Sequence, residues 1–173
     1  AVFVAVGGGG LIAGIGAYLN KVHPNVKIIG VEAADSAGLH ASVKAGKRVK
    51  LKEVGLFADG AAAKQIGKNN YELIKNFLDD SITVDTDEIC AAVKDTFLET
   101  RTVPEPTGAL ALAGLKKYIS QKRIKNKNLI ATYCGSNLNF ESLGHIVERS
   151  KIGEKKEIIL SIAIDEKKGS FRK

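Results

Sequence analysis

Four consecutive glycines, Gly7 to Gly10, follow the apolar run Val2 to Val6 and open into the apolar stretch Leu11-Ile12-Ala13. Residues without side chains leave successive main-chain N–H groups free to converge on one anion. A helix starting at the same point aims its positive dipole end there. The chemistry predicted is phosphate binding by main chain at Gly7, Gly8, Gly9 and Gly10; the plainer alternative is a glycine turn serving only tight strand-to-helix packing. Gly8, Gly10 and Ala13 also fit the G-x-G-x-x-G/A dinucleotide fingerprint. Glu32 ends the next strand-like run, Val26 to Glu32, where a ribose-binding acid belongs, so a nicotinamide dinucleotide site competes with a smaller phosphorylated ligand.

A second polar cluster, Cys134-Gly135-Ser136-Asn137, follows the strand-like Leu129 to Tyr133 and is turn-prone. The elements that must position both clusters alternate: strand Val2 to Val6, helix from the glycines to Asn20, strand Val26 to Glu32, helix Ser36 to Ala45. Such β-α-β-α alternation predicts an α/β fold with a parallel sheet, helices on its faces, and ligands at the carboxyl ends of the strands. After a loop from Gly46 to Gly60, the pattern predicts a helical stretch around Tyr71 to Leu78, a strand Ser81 to Val84 and a helix from about Asp87 to Arg101, capped by Asp85 or Thr86. Pro104 and Pro106 force an extended passage, and Thr107 is expected to cap a helix running through Ala109, Ala113 and Tyr118. Ile152-Gly153 reads as a hinge, and Ile158 to Ile164 as a further strand.

Composition bounds the function. With 173 residues and 45% hydrophobic content the chain can bury the core of one domain, and no apolar run approaches the roughly 20 residues of a membrane span. Two cysteines, Cys90 and Cys134, are too few for a disulfide scaffold and suit a reducing compartment such as the cytoplasm. The net charge of +7 is local: residues 1–112 carry 12 basic and 13 acidic side chains, residues 113–173 carry 14 and 6. No aromatic interleaving or nucleic-acid motif accompanies it, which points to a solvated face. His23, His40 and His145 lack ligand spacing, so no metal is expected. The chain contains no methionine and begins inside a core strand, which we read as a piece of a longer polypeptide.

Three stretches in this order, VGGGGLIAG at 6–14, EPTGALALAG at 105–114 and CGSNLNF at 134–140, resemble the fold-type II pyridoxal phosphate enzymes, a three-layer parallel-sheet fold like the tryptophan synthase β chain. Within that group the chain is most similar to the biosynthetic threonine deaminases, through VGLFADGAAAKQIG at 54–67, DDSITVDTDEICAAVKD at 79–95 and the tail from Gly153. The resemblance covers essentially the whole chain. It implies pyridoxal 5'-phosphate as cofactor, its phosphate held by Gly7, Gly8, Gly9, Gly10 and Leu11. It places Cys134 against the pyridine nitrogen, where the commonest pattern has serine, and brings Glu105 and Asn137 near the cofactor, Asn137 shaping the loop through its amide. A thiol or hydroxyl there leaves the ring largely neutral, which favours loss of a β-hydroxyl over side reactions such as transamination.

The implied activity is deamination of L-threonine to 2-oxobutanoate and ammonia in isoleucine biosynthesis, with L-serine a secondary substrate. The implied assembly is a homotetramer inhibited by isoleucine. Residues 1–152 would be the C-terminal part of the catalytic domain, and 153–173 the start of an ACT-like regulatory domain. The lysine that bonds the cofactor in this family would lie before residue 1, leaving this chain alone inactive; Lys64, in AAAKQIG, does not match its motif. Asp59, in FADG, is either a plain turn acid or part of the active-site mouth, and Glu32 is a ribose acid, a contributor to a cation site or a strand-end charge. The competing functions are an L-serine dehydratase-like enzyme, an NAD-dependent dehydrogenase and a non-catalytic remnant.

Overall fold

A computed structural model describes residues 1–164. The apolar runs form strands β1 (Val2–Ala5) and β2 (Ile28–Ala33), buried along their whole lengths. Helix α1 (Gly10–Val22) joins them, and a 3-10 turn, Ala34–Ser36, leads from β2 into α2 (Gly38–Ala45). A second 3-10 turn, Asp59–Ala61, precedes α3 (Lys68–Ile74), β3 (Leu78–Val84), α4 (Thr86–Thr100), α5 (Pro106–Lys122), β4 (Ile130–Ala131) and α6 (Ser142–Gly153). The sheet has the order β3-β2-β1-β4 with every pair parallel, as the alternation predicts.

Successive side chains of a strand point to opposite faces, so each strand feeds two cores. Phe3, Ile29, Val31, Ile82 and Val84 pack with Ile89 and Cys90 of α4 and with Leu110 and Tyr118 of α5. Val2, Val4 and Ile28 pack with Ile12 of α1, Leu39 of α2 and Tyr71 and Ile74 of α3. Helix α5 lies tight on the sheet: a Cβ on Gly114 would stand 2.4 Å from a Val31 methyl, and Tyr118 meets Phe3 edge to face at 5.3 Å. The result is three layers, with α1, α2 and α3 on one face of the sheet and α4 and α5 on the other.

Four local expectations are corrected and one open alternative is decided. The α3 helix stops at Ile74, and Leu78 opens β3 instead, with the Asp79 carboxylate accepting the Ile28 N–H at 2.8 Å beside a register shift. Asp85, rather than Thr86, caps α4 through a reciprocal box with Glu88, at 2.8 and 2.9 Å. Thr107 caps nothing, because Pro106 with its fixed φ already occupies the first helical position and puts Thr107 inside the turn. Gly153 is no hinge: it ends α6 where a Cβ would lie 2.0 Å from the Asp87 carbonyl, and the Arg149–Asp87 and Lys94–Glu154 ion pairs, at 2.5 and 2.8 Å, fasten the same contact. Ile158 to Ile164 pair with no strand among the described residues, and Ile158, Ile159, Leu160 and Ile162 are exposed. The rest of that tail, 165–173, lies outside the described residues.

Candidate functional site

The glycine run begins where β1 leaves the sheet, one residue after Val6 donates its N–H to the Val31 carbonyl at 2.9 Å. Each glycine has its own reason to be one. Gly7 passes so close to the 3-10 turn that a Cβ would sit 2.9 Å from Ala61 Cα. Gly9 caps α1 at φ 85°, in the left-handed region where a side chain is strained, and a Cβ there would also press on Ile66 at 2.9 Å. Gly8 and Gly10 face open space, with nothing within 4 Å of an added Cβ.

The first helical bond of α1 runs from the Ala13 N–H to the Gly9 carbonyl at 3.0 Å, so the N–H groups of Gly10, Leu11 and Ile12 have no helical acceptor. Among the described residues, the N–H groups of Gly8 and Gly9 donate to no protein group either. Unpaired donors at the start of a 13-residue helix, beside a volume kept clear of side chains, are the arrangement by which main chain can bind an anion.

Cys134 follows β4, the parallel neighbour of β1, and the ladder between them runs on through the Thr132 N–H to the Phe3 carbonyl at 2.9 Å. Both clusters therefore leave the sheet at its carboxyl edge on adjacent strands. The connection after β1 runs to one side of the sheet and the one before β4 comes from the other, so a crevice opens between them. The first turn of α5 packs on the same loop: a Cβ on Gly108 would stand 2.0 Å from the Cys134 carbonyl oxygen, and the Glu105 N–H donates to the Gly135 carbonyl at 3.1 Å. The Cys134 thiol is free, and its pKa is raised, first by burial and then by the negative charge of Glu105. A raised pKa keeps it a neutral thiol, a weak donor.

The turn Asp59–Ala61 fills the space between the two halves. Ala61 touches Gly7, Gly60 lies against Thr107 with a Cβ position 3.0 Å from Oγ1, and Asp59 accepts the Gly60 N–H at 2.8 Å. The Thr107 hydroxyl is buried without a hydrogen-bond partner, an orphan polar atom at the start of α5. Asn137 lies in the same loop as Cys134, but it is exposed and its amide holds no hydrogen bond among the described residues. The turn is closed by the Leu138 N–H to the Ser136 carbonyl at 2.8 Å instead.

Glu32 is occupied elsewhere. Its two carboxylate oxygens accept the N–H groups of Leu39 and His40 in the first turn of α2, each at 2.7 Å. Burial pushes its pKa up to about 7 against the downward pull of those bonds. A carboxylate committed to a helix start is not free to hold a ribose. Lys64 is exposed, and His40 Nδ1 meets Ser81 Oγ at 2.8 Å. The described residues contain no group of three metal-ligating side chains.

Sequence reasoning missed Ala61, Ile66, Gly67 and Asn70, which wall the glycine loop. Only Gly60 and the three alanines after it hinted at close packing there.

Residues 1–135 match the family described as pyridoxal-phosphate dependent enzyme. The chain is 49% identical over 173 residues to a biosynthetic L-threonine dehydratase of Burkholderia multivorans, covering 100% of this chain and 34% of that protein. It is 50% identical to a mitochondrial threonine dehydratase of Schizosaccharomyces pombe, with 99% and 29% covered. The chain thus spans about a third of the length of the curated relatives it matches. Among solved structures it is similar to the processed form of threonine deaminase isoform 2 from Solanum lycopersicum, with a TM-score of 0.85 and 40% identity over 86% of this chain and 43% of that one.

Proposed function

The chain belongs to the pyridoxal-phosphate dependent enzymes, and from that premise we propose that it is the part of an L-threonine dehydratase that seats the phosphate and the ring nitrogen of pyridoxal 5'-phosphate. The residues present fit that group. The main-chain N–H groups of Gly7 to Leu11 would hold the phosphate without a charged side chain, in the volume that Gly8 and Gly10 leave clear. Cys134, on the adjacent strand end, would meet the ring nitrogen as a neutral thiol, its thiolate disfavoured first by burial and then by the charge of Glu105. Asn137 offers an uncommitted amide at the crevice rim.

When bound, the cofactor supplies an electron sink for the substrate's α-carbon, which lets the α-proton and then the β-hydroxyl depart. The product of L-threonine is 2-oxobutanoate with ammonia. L-Serine, one methyl smaller, is a slower substrate, because a lost methyl costs only about 1–3 kcal/mol of discrimination. No lysine of this chain takes the covalent role. We further propose isoleucine as an allosteric inhibitor and a homotetramer as the assembly, with 1–152 catalytic and 153–173 the start of a regulatory domain; the similarity to dehydratases named biosynthetic is in keeping with a role in isoleucine formation. The cytoplasm, or an organelle matrix as in the mitochondrial relative, is the setting proposed, since both cysteines are free.

The observation that carries the reading is the placement of the glycine loop and Cys134 on parallel neighbours β1 and β4. The test is to titrate the intact protein with pyridoxal 5'-phosphate, follow the change in its visible absorbance, and assay 2-oxobutanoate from L-threonine. Saturable binding with turnover supports the reading; binding of NAD instead, or turnover of L-serine alone, overturns the threonine assignment.

A further inference from the structure

The Gly8 carbonyl is held by two donors from α3 and its approach: the Gly67 N–H at 3.1 Å and the Asn70 side-chain Nδ2 at 2.8 Å. A trans peptide sets its C=O and N–H in opposite directions, and no peptide among the described residues is cis. Fastening the Gly8 oxygen toward Asn70 therefore turns the Gly9 N–H the other way, toward the open side of the loop. The wall behind it is rigid, because the Arg48 guanidinium grips the Ile66 carbonyl with two N–H groups at 3.0 and 2.8 Å, and Ile66 packs under Gly9.

We propose that Asn70 is a positioning residue of the anion seat: by holding the Gly8 carbonyl it aims the Gly9 N–H at the cofactor phosphate. The inference rests on the cofactor reading above. Nothing in Asn70 touches the anion; it acts through one peptide plane. Asparagine suits the task as a short neutral donor. Aspartate, its isostere, has no proton to give and would face the carbonyl with an acceptor.

The test compares Asn70→Asp and Asn70→Ala with wild type in the intact protein. It measures dissociation constants for pyridoxal 5'-phosphate, for pyridoxal, which lacks the phosphate, and for inorganic phosphate as a competitor, with circular dichroism and a thermal melt as folding controls. Asn70→Ala should weaken the two phosphate-bearing ligands about tenfold and Asn70→Asp more, while pyridoxal binding and the melt stay unchanged. Variants that bind pyridoxal 5'-phosphate like wild type, or that lose pyridoxal equally, overturn the inference. Wild type that binds inorganic phosphate in an Asn70-dependent way but takes up no pyridoxal 5'-phosphate sinks the cofactor reading and leaves the role of Asn70 standing. Wild type that binds neither overturns both.

Discussion

The Glu105 carboxylate lies directly over the α-carbon of Gly135: a Cβ there would fall 1.9 Å from Oε1, and Gly135 already stands at φ 86°. Two chain segments thirty residues apart thus touch at a point where only glycine fits, next to the one exposed thiol among the described residues.

Replacing Glu105 by Gln should lower the Cys134 pKa, because burial alone would then hold it up. The midpoint of the pH profile for iodoacetamide alkylation moves down in the variant; an unmoved midpoint would show that the carboxylate does not act on the thiol. Cys90 provides the contrast. It is buried in the core, with its pKa pushed up to about 12, so mass spectrometry of native protein should find the label on Cys134 only.

Glu32 makes stability depend on pH with a definite sign. Its folded pKa, about 7, lies above the ordinary 4.5, so the folded state binds the proton more tightly. The contribution is fully present below about 4.5 and is lost as pH rises through about 7, by about 3 kcal/mol at most. Denaturant unfolding at steps between those values should show the decline, and Glu32→Gln should flatten it. An equal slope in both proteins would place the titration elsewhere.

Gly7 and Gly8 should part company under the same substitution. Gly7→Ala drives a methyl into the Ala61 main chain and should cost about 1–3 kcal/mol of stability. Gly8→Ala meets nothing within 4 Å and should leave the melt almost unchanged, yet abolish tight phosphate binding by filling the seat. Isothermal titration with inorganic phosphate, beside a thermal melt, separates the two.

Among the described residues strand β4 has a neighbour on one side only, and Ile130 is 59% exposed on it, beside a cavity of about 710 Å³ lined by Leu98, Leu112, Ala131 and Tyr133. An open apolar strand edge pairs with other chains. The 173-residue chain expressed by itself should self-associate in light scattering, and Ile130→Lys should shift it toward monomer. A monodisperse wild-type monomer would count against this.

What was legible in the sequence was whatever depends on neighbours along the chain. Val2 to Val6 and Ile28 to Val31 are apolar throughout because both faces of a parallel strand are buried, and Asp85 announces its cap by the Glu88 three residues on. The place of both clusters at the carboxyl edge was legible because each follows a strand-like run, Val2 to Val6 and Leu129 to Tyr133. What was hidden depends on partners far along the chain. The role of Asp79 depends on the Ile28 N–H 51 positions away, and Asn70 has no meaning without the Gly8 carbonyl 62 positions earlier. Gly153 carries the same ambiguity, since a glycine for bending and a glycine for close packing look alike until Asp87 is beside it.

A seat made of peptide groups carries no titratable atom. Its hold on an anion does not fade at the pH where a histidine or lysine would discharge, and truncating a side chain reaches it only indirectly, through a neighbour such as Asn70 that aims one of its peptides. The damage runs the other way: every substitution at Gly7 to Gly10 adds atoms, making these four codons a place where harm comes by gain of bulk rather than loss of a group.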